Sequence, residues 1–323
     1  MPIRFHIVSL LGMKEQCLAA LATLDTGAAW HLRLSASGLF VHGLSFIVVT
    51  SQQTLSSDIH LTDKLFLVSP ETDPISDQER ELRVHLAALY RLVDHFGWCD
   101  LIETHSSARI PGTEHFLINP YTRRFDEICA SNLVKVDKDA NIVGDPTQEI
   151  NPAGFIIHSA IHMFRPDIHC IIHTHTTAGM AVAALACGVL PISIHALGYY
   201  GRIGYHDFEG PSLHMDERER LGRDLGNNDI LILRNHGLLV CGATVAQAFV
   251  RMHRLQRVCE VQIAALSTGQ ELVVPSKEIC ELSAKRTDAF LSAEAGKGYS
   301  RKANPEFEAM LRLLDRKDPS YRD

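Results

Sequence analysis

The clearest pattern along this chain is a change of hydrophobic period. Between residues 76 and 97 apolar side chains recur at Leu82, Leu86, Leu89, Leu92 and Val93, close to the 3.6-residue repeat of a helix with one buried face. Ser76-Asp77-Gln78-Glu79 opens that stretch as a capping box, and Gly97 suits the position just past a helix end. Short apolar runs then take over. Strands are expected around Leu101, at Phe116-Leu117-Ile118 and at Leu133-Val134-Lys135-Val136, with Asp137-Lys138-Asp139-Ala140-Asn141 turning the chain into Ile142-Val143. After Asn151-Pro152 a helix is expected from about Gly154 to Met163, closed by Arg165-Pro166-Asp167. Cys170-Ile171-Ile172 reads as a buried strand, residues 178–186 as an alanine-rich helix and 216–225 as a charged one. Ile230-Leu231-Ile232-Leu233 and Leu238-Leu239-Val240 flank a tight turn as a hairpin. A long helix is expected from about Val245 to Thr268, then one or two more helices and a polar end.

Strands and helices alternate, so the class is α/β or α+β around one sheet. Three regions are expected: 1–75 as a partly disordered extension, 76–268 as the main domain, and 269–323 as a helical tail. Within the first, Phe46-Ile47-Val48-Val49 and Leu65-Phe66-Leu67-Val68 are candidate short strands.

Composition narrows the function classes. Hydrophobic residues make up 46% of the chain, enough for a substantial core. No apolar run reaches the eighteen or so residues of a membrane span, so no membrane partner is expected. Net charge is -7 without a concentrated basic stripe, which argues against nucleic acid. The apolar run Ile7 to Met13 is short and lacks a following cleavage site, so no signal peptide is expected. The eight cysteines are scattered, several inside apolar runs (Cys170, Cys241), and read as reduced thiols of a cytoplasmic protein.

Two histidine motifs carry the chemistry. His173-Thr174-His175 ends the buried strand, and residues two apart on a strand face the same side. Asn235-His236-Gly237 sits at the hairpin tip, where Asn and Gly tolerate positive backbone angles. His173, His175 and His236 are therefore expected to converge on one divalent metal ion. Three neutral imidazoles leave coordination positions open, the arrangement of a catalytic site. The residue types do not choose between zinc, iron and manganese.

The run Leu86 to Trp98 resembles the opening of the class II aldolase/adducin domain. So do Phe116-Leu117-Ile118-Asn119-Pro120, Asn151-Pro152-Ala153-Gly154-Phe155, His158-Ser159-Ala160-Ile161-His162, Arg165-Pro166-Asp167 and the two histidine motifs, in the family's order over about residues 80–268. The resemblance implies a three-layer α/β/α domain around a largely antiparallel sheet, and a homotetramer. It implies zinc-type ligation by His173, His175 and His236. The family's sugar-phosphate aldolases add a glutamate on the preceding helix, and the matching position here is Gly154. Their glycine-containing phosphate turns correspond to Thr104-His105-Ser106-Ser107 and Asn119-Pro120-Tyr121-Thr122, which lack the glycines. An unphosphorylated small-molecule substrate is expected.

Residues 154, 158 and 162 share one helix face. His158 is thus a candidate to reach the metal or act as a base, while His162 reads as a packing residue. His105 and Tyr205 are further catalytic candidates, with Tyr199 and Tyr200 in the same stretch as Tyr205. Arg109, Asn119 and Thr122 are substrate-binding candidates, Arg109 as a bidentate carboxylate partner.

Three functions compete. The first is a metal-dependent lyase, decarboxylating or retro-aldol, in which the missing glutamate favours decarboxylation because no base is needed. The second is a non-heme Fe(II) oxygenase that oxidatively decarboxylates a 2-oxo or 2-hydroxy acid. The third is a non-catalytic oligomeric scaffold of the adducin kind.

Overall fold

The computed structural model describes residues 19–23, 29–35, 38–41, 44–46, 75–210, 215–296 and 304–323. The chain divides into two compact units, residues 1–75 and 76–323. In the first, β1 (Ala19–Thr23), β2 (Ala29–Ser35), β3 (Gly38–Val41) and β4 (Leu44–Phe46) form a four-stranded sheet in sequence order, each strand antiparallel to the next. Of the two strands expected there, residues 47–49 and 65–68 lie outside the described residues.

The second unit opens with α1 (Asp77–His95), capped where the Glu79 N–H donates to Ser76 Oγ at 3.1 Å. The Glu79 carboxylate turns inward, where it meets Arg83 at 2.9 Å and Lys135 at 2.7 Å. The strand expected around Leu101 is replaced by a turn: Leu101 has φ +48° and is 82% exposed. Pairing starts instead at β5 (His105–Arg109), followed by β6 (Phe116–Ile118) and β7 (Val134–Val136). Then come α2 (Pro152–Phe164), β8 (Cys170–Thr174), α3 (Thr177–Ala184), α4 (Ile194–Gly198), β9 (Ile203–His206) and α5 (Glu217–Leu225). The hairpin β10 (Ile230–Leu233) and β11 (Gly237–Gly242) leads to α6 (Val245–Ser267), α7 (Lys277–Gly296) and α8 (Pro305–Lys317).

Seven strands make one sheet in the order β7-β6-β5-β8-β11-β10-β9. Neighbours are antiparallel except the β10–β9 pair. Side-chain alternation gives the sheet two apolar faces. On one, Ile171, Leu231, Leu233, Leu239 and Cys241 pack against Ile157 and Ile161 of α2 and Leu221 and Leu225 of α5. On the other, Ile172, Ile230, Ile232, Leu238 and Val240 share a core with α1, α6 and α8. The result is the three-layer α/β/α architecture.

The central strand β8 places the chemistry. His105 on β5 lies directly opposite His173, and Ser107 opposite Ile171, so all four face the α2 side. Behind them, the buried Tyr90 hydroxyl ties β5 to the end of β6. It accepts from the Ser106 N–H at 2.9 Å and the Asn119 N–H at 3.1 Å, and contacts Asn119 Oδ1 at 2.8 Å.

Candidate metal centre

Each residue of the hairpin motif has a separate job. Asn235 takes φ +56° at the turn. Gly237 lets β11 close on β8, since a Cβ there would fall 2.4 Å from the Thr174 carbonyl oxygen and 3.1 Å from His175 Cδ2. His236 is thereby delivered to the end of β8.

The three rings meet through their Nε2 atoms. His173 to His175 is 2.8 Å, His175 to His236 is 3.0 Å and His173 to His236 is 3.2 Å. Among the described residues this is the one group of three or more His, Cys, Asp or Glu ligand atoms within 4.8 Å of one another. The opposite ring nitrogens explain why the contacts are not ordinary hydrogen bonds. His173 Nδ1 donates to the Leu238 carbonyl at 3.0 Å, and His175 Nδ1 donates to Asp100 Oδ2 at 3.1 Å. A neutral ring with its proton on Nδ1 presents a bare lone pair at Nε2. Burial, reinforced by the adjacent imidazoles, holds His173 well below the usual imidazole range and His236 at about 4, so these two rings are neutral at neutral pH. Nitrogens so placed could hold a cation. Tetrahedral ligation at about 2.0–2.1 Å would set the nitrogens roughly 3.3 Å apart, close to the spacing found.

Gly154 explains the place of His105. A Cβ at 154 would lie 2.6 Å from His105 Cδ2 and 3.0 Å from its Nε2. The imidazole of His105 therefore fills the space into which a side chain at 154 would project. Its ring packs on His173 with centroids 4.9 Å apart. Behind it, His105 Nδ1 meets His158 Nε2 at 2.8 Å, His158 Nδ1 meets Ser107 Oγ at 2.6 Å, and Ser107 Oγ meets His162 Nε2 at 2.8 Å. His158 is thus one ring removed from the metal cluster, a correction to its expected reach toward the metal. His162 is a buried, hydrogen-bonded residue, as expected.

The remaining candidates fall elsewhere. Arg109 is four residues along β5 from His105, roughly 13 Å at strand rise, and donates to the His162 carbonyl. Asn119 is locked inside by Tyr90. Thr122 is exposed on the turn after β6. The Tyr205 hydroxyl accepts from the Val189 N–H at 3.0 Å, and the Arg234 guanidinium lies 4.3 Å over its ring. These contacts hold Tyr205 on β9. Two contributors have no signature in the sequence: Ser107 stands only in the stretch matching a phosphate turn, and Asp100 carries no local signal.

The buried imidazoles make stability pH-dependent. Desolvation holds His105 and His158 well below the usual value and His162 at about 3. Between those values and about 6.5 the unfolded chain binds more protons than the folded one. Stability is therefore complete above about pH 6.5 and is lost as pH falls. Metal-stripped protein is expected to melt at a lower temperature at about pH 5 than at about pH 7.5. A flat melting profile over that range would contradict the neutral, buried assignment.

The fold and the histidine triad define a family. The class II aldolase and adducin N-terminal domain family matches residues 84–263, more than half of the chain, and the protein belongs to it. A Pseudomonas aeruginosa protein with a provisional aldolase class 2 name is 46% identical over 248 residues, covering 77% of this chain and 94% of that one. The crystal structure of an aldolase II superfamily protein from Pseudomonas syringae, 46% identical, superimposes with a TM-score of 0.69 over 78% of this chain and 98% of that chain. Rat alpha-adducin is 42% identical over 249 residues, 73% of this chain but only 33% of the adducin. No helix among the described residues is long and apolar enough to cross a membrane.

Proposed function

We propose that this protein is a divalent-metal-dependent enzyme that cleaves a carbon–carbon bond of a small unphosphorylated carboxylate, by decarboxylation ahead of retro-aldol cleavage. The observation that carries this reading is the convergence of three imidazole Nε2 atoms beside a position, Gly154, whose side-chain space is filled by the His105 imidazole. His173, His175 and His236 would hold the ion. When bound, such an ion supplies Lewis-acid polarisation of a substrate oxygen and stabilises the negative charge left as the bond breaks.

The chain's own groups favour this substrate class. Three neutral ligands leave the dication's charge unbalanced, which suits a chelating acid. His105 packs beside this cluster and is kept neutral by burial. With glycine at position 154 there is no carboxylate base on that helix, and loss of carbon dioxide needs none. A phosphate is poorly served. Residues 105–107 lie in a paired strand, and the Ser106 and Asn119 N–H groups are spent on Tyr90.

The test is a panel of 2-oxo and 2-hydroxy acids given to metal-replete protein with and without oxygen. Product release is expected to be independent of oxygen and abolished by a chelator. Turnover strictly coupled to oxygen consumption would replace this reading with the Fe(II) oxygenase, and no turnover on any acid would favour the scaffold.

A further inference from the structure

Asp100 is a carboxylate in contact with the histidine cluster, its Oδ2 3.1 Å from His175 Nδ1. It lies in the turn between α1 and β5, outside every motif that singles out the metal site. Several contacts shape that turn. The Glu103 N–H donates to the Asp100 carbonyl at 2.9 Å, and Trp98, just before it, is buried and stacked on Phe96 at 4.9 Å. Leu101 adopts φ +48°, a conformation leucine rarely takes, with its side chain out in solvent. Packing at Leu101 does not account for that conformation.

We propose that Asp100 is the positioning residue of the metal centre, fixing His175 as its Nδ1–H tautomer and adding one negative charge to a site whose ligands are all neutral. A carboxylate on the far nitrogen of a ligating imidazole orients the ring and makes its other nitrogen a stronger donor. His173 has only a carbonyl in the same position, at Leu238. Asp100 thus brings a full negative charge to the site through a ligand, which Leu238 does not. Its side chain is about half exposed, so its replacement leaves no buried cavity. This inference rests on the three-histidine reading.

The test titrates metal-free, full-length protein with zinc and with manganese against a chromophoric chelator, alongside melting of the metal-free form. Asp100→Ala is expected to weaken both ions by about 10–100-fold while the metal-free melting temperature stays at the wild-type value. Asp100→Asn, which keeps an acceptor and loses the charge, is expected to fall between; wild-type affinity there would overturn the electrostatic half of the proposal. His173→Ala serves as the reference. If Asp100→Ala binds within twofold of wild type while His173→Ala is weakened, the positioning role is wrong and the metal site stands. If His173→Ala also binds like wild type, the metal site itself is wrong and the Asp100 role falls with it.

Discussion

Replacing His173 with alanine is expected to abolish tight metal binding while the domain still folds. Its Nε2 lies within 3.2 Å of both other ring nitrogens, and it is the most deeply buried of the three rings. Loss of an outer hydrogen-bond partner already costs a metal site about 10–100-fold, and loss of a ligand is expected to cost roughly a thousandfold or more. The folding cost is smaller. His173 is buried, and truncation also frees the Leu238 carbonyl, so a loss of about 1–3 kcal/mol is expected. Metal stoichiometry after purification and a chelator competition check this result. Unchanged stoichiometry in His173→Ala would refute the assignment.

The second large effect is expected from Gly154→Glu. Adding the glutamate is not a repair. The new Cβ would sit 2.6 Å from His105 Cδ2 and 2.9 Å from Cγ. The ring has little room to yield, being bonded to His158 at 2.8 Å on one side and packed on His173 on the other. Overpacking of this kind costs about 1–3 kcal/mol or more, which is roughly 2–4 °C of melting temperature per kcal/mol for a body of this size. The native reaction should slow, because the displaced ring disturbs His173. Pairing the change with His105→Ala is expected to recover most of the lost stability, since the clash partner is gone. A faster native reaction in Gly154→Glu alone would show instead that the site is an aldolase centre lacking only its carboxylate.

The sequence was most legible where a motif and its structural role lie in one contiguous stretch. The period-two spacing of His173 and His175, and the Asn235-His236-Gly237 turn, could be read locally because strand alternation and turn chemistry are local rules. The α2, α6 and hairpin boundaries followed from the same logic. Roles set by pairing between distant strands were not readable. Arg109 and His105 share β5, but which end meets His173 depends on the β5–β8 register. Nothing local to Asn119 announces that Tyr90, from α1, occupies it. β9 has no apolar run to announce it: Ile203-Gly204-Tyr205-His206 is held by its parallel pairing with β10. β2 does carry an alternating pattern, Trp30-His31-Leu32-Arg33-Leu34-Ser35, although it is not among the strands expected for residues 1–75. Gly154 stands where the family's aldolases have a glutamate, yet only the packing of His105 shows what fills that space.

The most direct test is anomalous diffraction from crystals of metal-loaded protein, collected on both sides of the absorption edge of the added ion. The account predicts one strong peak about 2.0–2.2 Å from Nε2 of His173, His175 and His236, with at least one further position held by water or an added acid. A map with no peak among these rings, or with the ion bound to other residues while they stay bare, would contradict it.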